Sequence, residues 1–319
     1  MNAEYLVTID MGGTKSLAAL SHKGEIVGRL KRPTNVGEKS PDYGVELVDL
    51  TKALLAEHGV GEDDLRAVCL GVPGSVDQRT GVIGVAPNLG ITDYPIRDEM
   101  AKRLSVPVLI ENDVNIAALG IMAEGSVQKT RHALVVFVGT GIGGALIIDG
   151  KLYRGASNFA GEIGHMRVRP DGPKCGCGAK GCFEAVASKT AIIRDVVAAI
   201  EDGKKSVLKE RLDAGKRIKS KAIAKAIASD DKLTVKTVAD ACDVIGETLA
   251  SVNNLLNLET IVLGGGLVEA NEEFMLPIIR EAFERESLKD FAESCDLRAT
   301  ALGDDAPLLG GEPLASEYL

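Results

Sequence analysis

His165, Cys175, Cys177 and Cys182 offer one imidazole and three thiols within a short stretch of chain. As thiolates and a neutral imidazole, that set has the stoichiometry of a tetrahedral Zn²⁺ site. Four protein ligands leave no position open for water, so a zinc ion there would be structural rather than hydrolytic. Gly172, Gly176, Gly178 and Gly181 supply the turns such a loop needs to wrap an ion. An iron–sulfur centre, a redox pair or a metal-free cluster would draw on the same residue types.

A second kind of chemistry is written in the glycines. Asp10-Met-Gly-Gly-Thr-Lys15 places a carboxylate at the end of a strand-like run, followed by Gly12 and Gly13, the Thr14 hydroxyl and the Lys15 cation. Residues without Cβ let backbone N–H groups approach phosphate oxygens closely, and Asp10 could hold Mg²⁺ through water. A plain hairpin turn has the same composition. Gly139-Thr-Gly-Ile-Gly-Gly144 matches G-x-G-x-x-G, but a dinucleotide fingerprint requires a helix after the glycines. Here Ala145–Ile148 reads as a strand, so that reading is rejected. Gly264, Gly265 and Gly266 form a third turn, between a strand and a helix, able to pass against a base or ribose. Asp113, preceded by Asn112, could accept a proton from a substrate hydroxyl. An Asx turn or a helix N-cap would look alike.

These residues need elements to position them. Tyr5–Asp10, Ser16–Ser21 and Glu25–Arg29 read as strands joined by glycine turns, and Tyr43–Glu57 carries apolar residues at helical spacing. A strand at Ala67–Leu70, a helix at Ile96–Leu104 and a strand at Val106–Ile110 lead to Glu111-Asn112-Asp113. Residues 6–27 have a counterpart at residues 134–153: strand, glycine-rich turn, strand, tight turn, strand. Such self-similarity predicts a duplicated α/β domain with both turns facing one cleft. Helices follow at Ser188–Ala199, Val235–Leu256 and Asn271–Ala282, with a strand at Thr260–Leu263. The lysine- and arginine-rich stretch Gly203–Lys225 reads as a solvated helical face.

Composition narrows the function classes. With 319 residues the chain has room for two domains and a sizeable core. Its 37 basic and 46 acidic side chains leave a net charge of −9, which argues against non-specific binding to nucleic acid or anionic membrane. The N-terminus has no basic, apolar leader pattern, and no run is long enough to span a membrane, so a cytoplasmic protein is expected. Cys69, Cys242 and Cys295 lie in apolar surroundings and read as core residues, as cysteines of reducing compartments usually are. His22, His58 and His132 read as surface or capping residues.

Together these pieces resemble the ROK family of sugar kinases and repressors, within the actin/hexokinase-like ATPases. The most specific part is Gly161-Glu-Ile-Gly-His165 followed by Cys175-Gly-Cys-Gly-Ala-Lys-Gly-Cys-Phe-Glu184. Gly71-Val-Pro-Gly-Ser-Val-Asp77, Pro87-Asn-Leu89 and Glu111-Asn-Asp-Val-Asn115 add to the glycine motifs. The resemblance implies two duplicated ribonuclease-H-like lobes around a central cleft. The smaller lobe is expected over residues 1–115 plus about 300–319, and the larger, with the zinc loop, over 116–299.

The resemblance also implies an ATP-dependent hexose kinase acting on the glucose 6-hydroxyl. Asp113 falls on the catalytic base, and Gly74, Asn112, Glu162, His165 and Glu184 fall on positions lining or holding the sugar. His165 would serve zinc and sugar rim together. Gly12, Gly13, Thr14 and Lys15, with Gly139, Thr140, Gly141, Gly143 and Gly144, fall on the phosphate loops, and Gly264–Gly266 on the adenosine loop. Mg²⁺ with ATP, a structural Zn²⁺ and a homodimer or homotetramer complete the expectation. Fructose, mannose, N-acetylglucosamine and N-acetylmannosamine are alternative acceptors, and a silent sugar binder is an alternative role. A sugar-responsive repressor of the same family would carry a helix-turn-helix ahead of the strand at Tyr5. Gly310, Gly311 and Pro313 are expected to weaken the C-terminal helix or end it early.

Overall fold

The computed structural model describes residues 4–36, 42–125, 127 and 129–319. Residues 1–3, part of the N-terminal segment read above, lie outside them. Two compact units divide the chain: Met1–Lys129, Leu152–Ala160 and Asp304–Leu319 form the first, and Thr130–Lys151 and Gly161–Gly303 the second. The first unit therefore extends past the boundary expected at residue 115 and gains residues 152–160. The reason is packing: Ile116 of the Asp113–Ala123 helix is buried with Leu6, Ala67, Cys69, Leu314 and Ala315 of that unit.

The first unit is built on a five-stranded sheet in the order Glu25–Pro33, Lys15–His22, Tyr5–Met11, Leu65–Val72, Val108–Asn112. The first three strands pair antiparallel and the last three parallel. Leu6 to Ile9 of the central strand are all buried, the continuous apolar run of a strand covered on both faces. Val7 and Ile9 pack with Leu47, Leu50 and Leu54 of the Tyr43–His58 helix. Leu6 faces the opposite layer, against Ile116 and Leu314.

A second five-stranded sheet, in the second unit but for Leu152 and Tyr153 of its edge strand, repeats the plan: Lys151–Tyr153, Ile142–Ile148, Ala133–Val138, Thr260–Gly264, Asp296–Ala299. Ala133–Val138 pairs antiparallel with Ile142–Ile148 and parallel with Thr260–Gly264. Its core joins Leu134, Val136, Ile261 and Leu263 to Cys242, Ile245 and Leu249 of the Lys232–Leu256 helix. Even the tight turns correspond. Lys23-Gly24 (φ 53° and 86°) and Asp149-Gly150 (φ 54° and 75°) both place two successive residues at positive φ, the backbone of a type I′ hairpin turn. The duplication read from residues 6–27 and 134–153 is thus present in strand order, pairing and turn type.

Three features depart from the sequence reading. A small antiparallel sheet of Val76–Asp77, Val82–Ala86 and Ile91–Tyr94 was not anticipated, because runs this short show little alternation. The Gly203–Lys225 stretch is not solvated throughout: Leu208, Ile218 and Ile223 reach the second unit's core. The C-terminal helix does not end early. It breaks at Gly310 and resumes over Gly311–Tyr318, with Pro313 in the first turn, where N–H groups have no intrahelical partner. A Cβ on Gly310 would overlap the Ile116 carbonyl, and one on Gly311 would overlap Thr8 Oγ1. The two glycines let this segment lie directly on the sheet and on the helix that begins at Asp113. Among the described residues, no helix is long and apolar enough to cross a membrane.

Candidate active site

In the first unit, the Val108–Asn112 strand runs straight into the Asp113–Ala123 helix. Asn112 is the N-cap: its Oδ1 accepts from the amides of Val114 (2.9 Å) and Asn115 (3.1 Å). Its Nδ2 donates to the Gly74 carbonyl at 3.2 Å, so three of the sequence-predicted sugar residues, Gly74, Asn112 and Asp113, meet here. Gly74 lies at φ 89°, and a Cβ there would overlap the Val85 carbonyl. Asp113 is the first helical residue, with its Oδ1 accepting from the Val114 amide at 3.0 Å. The capping role that competed with catalysis for Asp113 therefore belongs to its neighbour.

Asp10 closes the central strand beside this helix. Burial first, then the Asp113 and Asp304 carboxylates, raise its carboxyl from the usual range to about 7, against the pull of Lys15. The spot is short of positive charge, which suits a residue expected to hold hydrated Mg²⁺. Lys15 itself forms an ion pair with Asp304, a partner the sequence reading did not assign. The Gly12 amide donates to the Lys15 carbonyl at 2.9 Å and closes the hairpin. Gly13 lies where a Cβ would come within 3.1 Å of the Asn88 carbonyl.

A carboxyl with a raised folded-state pKa keeps its proton between about pH 4 and 7, where the unfolded chain has released it. Its stabilising contribution is complete below the unfolded value and disappears as pH rises through 7. Denaturant midpoints of the nucleotide-free protein at pH 5 to 8 should fall by a component that Asp10→Asn lacks. An identical slope in the variant would remove the assignment.

The second unit gathers the other set. Glu162 precedes the Ile163–His165 turn, and His165 stands between two groups: Nδ1 lies 3.7 Å from Cys175 Sγ, and Nε2 lies 3.7 Å from Glu162 Oε2. The ligand atoms of His165, Cys175, Cys177 and Cys182 all lie within 4.8 Å of one another, with Cys177 and Cys182 Sγ 3.7 Å apart. A Zn–S bond of about 2.3 Å gives a tetrahedral edge of about 3.8 Å, so the donor set and its spacing are compatible with zinc. The Ala179 backbone and the Cys175 thiol hold the Cys177 thiol below its usual range, whereas burial pushes Cys182 up to about 12. Cation binding there must displace protons.

Cys182 also leads into the Phe183–Ala187 helix that carries Glu184. Glu184 Oε2 accepts from the Ile142 amide at 3.1 Å and occupies the space a Cβ on Gly141 would need. One carboxylate expected to touch sugar thus also braces the Gly139–Gly144 turn. Behind that turn, the Gly139 and Thr140 carbonyls accept from the Lys189 amide (3.0 Å) and the Thr190 hydroxyl (2.6 Å). No dinucleotide-type helix follows, since Gly143 and Gly144 lie within the Ile142–Ile148 strand. Gly265, at φ 92°, packs so closely on Val138 that a Cβ would come within 2.7 Å of its carbonyl. The Gly264–Gly266 turn therefore lies beside the start of the second glycine loop.

Two participants in this architecture escaped the sequence reading. Glu111 was seen only as part of a motif, and Arg154 carried no signal at all. Yet Arg154 Nε donates to Glu111 Oε2 at 2.7 Å. The carboxylates of Glu317 and Glu111 keep the guanidinium firmly charged despite its burial.

A model of the ROK family matches residues 6–317. The chain is 34% identical over 313 residues to a glucokinase of Halalkalibacterium halodurans, across 98% of this chain and 94% of that one. It superposes with a TM-score of 0.81 on the crystal structure of a ROK family glucokinase from Streptomyces griseus in complex with glucose and AMPPNP. That pair shares 31% identity over 98% of this chain and 99% of the other. A xylose repressor of Bacillus subtilis is 27% identical over 318 residues, 99% of this chain and 78% of the repressor.

Proposed function

The chain belongs to the ROK family and has the actin/hexokinase-like ATPase fold, and on that premise we propose that it transfers the γ-phosphoryl group of ATP to the 6-hydroxyl of glucose. The observation that carries this reading is the placement of Asp113. It stands at a helix start whose cap is already supplied by Asn112, beside the Asp10 and Lys15 groups of a phosphate-type turn. The similarity to glucokinases over nearly the full chain supports the choice of acceptor.

In this reading Asp113 accepts the proton of the sugar hydroxyl as it attacks phosphorus. Asn112, Gly74, Glu162, His165 and Glu184 orient the remaining hydroxyls. The Gly12–Lys15 and Gly139–Gly144 turns bind phosphates, and Gly264–Gly266 lies against adenosine. Mg²⁺, held through water by Asp10, supplies charge neutralisation on the phosphates when ATP is bound. The residues themselves contribute positioning, the larger part of catalysis in phosphoryl transfer. His165, Cys175, Cys177 and Cys182 would hold a zinc ion in a structural role; with Nδ1 of His165 facing Cys175 and Nε2 facing Glu162, such an ion would steady the imidazole and the turn leading to Glu184.

A coupled ADP-release assay with Mg·ATP against glucose, fructose, mannose, N-acetylglucosamine and N-acetylmannosamine tests this directly. Glucose should give the highest kcat/KM and the no-sugar blank almost no turnover. Preference for another hexose would replace the acceptor. A flat panel with ATP and with polyphosphate, alongside calorimetric glucose binding, would make the protein a silent sugar binder.

A further inference from the structure

Glu111 is completely buried at the end of the strand that delivers Asp113, and both its oxygens are engaged. Oε1 accepts from Gln78 Nε2 at 2.7 Å, from the Asn112 amide at 2.9 Å and from Asn115 Nδ2 at 3.0 Å. Oε2 takes the Arg154 Nε–H. Arg154 then turns both terminal nitrogens on Glu317, at 2.7 and 2.8 Å, and its guanidinium carbon lies 5.8 Å from the Tyr318 ring centroid. Two carboxylates are thus bridged by the two edges of one planar fork, a geometry lysine cannot reproduce.

All these groups belong to the first unit, and the chain of contacts runs from the Gly311–Tyr318 helix to the Asp113 turn. We propose that Glu111, Arg154 and Glu317 are positioning residues that hold the Asn112–Asn115 turn, and with it the Asp113 carboxylate, in its reactive geometry. Glu111 grips the turn on either side of Asp113, through the amide of Asn112 and the side chain of Asn115. Arg154 holds Glu111 in place, and Glu317 fixes the fork. A displacement of about 1 Å at a reacting group costs on the order of 100-fold in rate, so the relay acts on kcat. Its activity arm rests on the kinase reading above.

The test compares Arg154→Met, Arg154→Lys and Glu317→Ala for kcat, KM and amide exchange of the peptide spanning residues 111–116. Glu317→Ala should lower kcat about tenfold and Arg154→Met about 100-fold, with KM for ATP within about twofold of wild type. Arg154→Lys, able to keep only one partner, should fall between wild type and Arg154→Met. Exchange at 111–116 should quicken in the same order while the cooperative melt is retained. Should Arg154→Met fail to fold, Glu317→Ala decides, since the Glu317 side chain is 43% exposed. Wild-type kcat and exchange in both Glu317→Ala and Arg154→Lys would overturn the relay, as would a loss confined to KM for ATP. If the wild-type protein phosphorylates no sugar, the kinase reading falls but exchange at 111–116 still decides the relay.

Discussion

Replacing Asp113 by alanine is expected to lower kcat by about three orders of magnitude while leaving the protein folded. The structure separates this outcome from that of a lost helix cap. Were Asp113 the cap, its removal would cost about 1 kcal/mol of stability and need not touch turnover. The cap is Asn112, which accepts from the Val114 and Asn115 amides, so the two roles can be measured on adjacent residues. Asn112→Ala should lower the urea midpoint, having lost both the cap and the link to the Gly74 carbonyl. Asp113→Ala should lose the bond from the Val114 amide, which Asn112 also accepts, and a favourable charge at a helix N-terminus, the charge being about 0.3–1 kcal/mol, offset in part by relief of its repulsion with Asp10. Asp113→Asn, similar in shape but a poor proton acceptor, should be as inactive as the alanine variant. A kcat within tenfold of wild type in either Asp113 variant would remove the general-base assignment.

How much of this was legible in the sequence depends on the range of the interaction concerned. The duplicated units were readable because each hairpin is local: alternating strands and an X-Gly turn at Lys23-Gly24 and Asp149-Gly150 fix their own geometry. The Cys₃His set was readable for the same reason, three of its ligands lying in one loop. Partnerships between distant residues were not readable. Nothing in the peptide around Arg154 announces that its fork will bridge Glu111 and Glu317, because that depends on where the third strand of the second hairpin ends. The pairing of Lys15 with Asp304 is equally remote along the chain. Composition also misled at the C-terminus. Glycine and proline in Gly310–Pro313 count against a helix by propensity, but the close approach to Ile116 and Thr8 makes glycine the residue that fits. Tertiary contact overrode local preference there.

In the proposed kinase the Cys₃His loop would link stability to substrate affinity, a link one substitution can expose. Cys182 is fully buried, sits immediately before Phe183 and Glu184, and bridges to Arg167. Phe183 and Ile163 are packed in the second unit's core, so losing the metal should loosen the loop without unfolding the unit. Cys182→Ser is therefore expected to abolish the roughly one zinc per chain that a four-ligand site requires. It should also raise KM for the hexose about 10–100-fold, the scale on which groups that orient functional residues through a metal act. KM for ATP should change less, with the reservation built into the contact itself: Glu184 also holds the Ile142 amide of the Gly139–Gly144 turn. A rise in both constants would therefore place the slackness at Glu184, whereas a rise in the hexose constant alone would place it at His165 and Glu162, 3.7 Å apart. Glu184→Gln, made in the zinc-replete protein, distinguishes the two. Wild-type protein that contains no zinc, melts normally and binds hexose normally would show that the cluster does not need a metal to do its work.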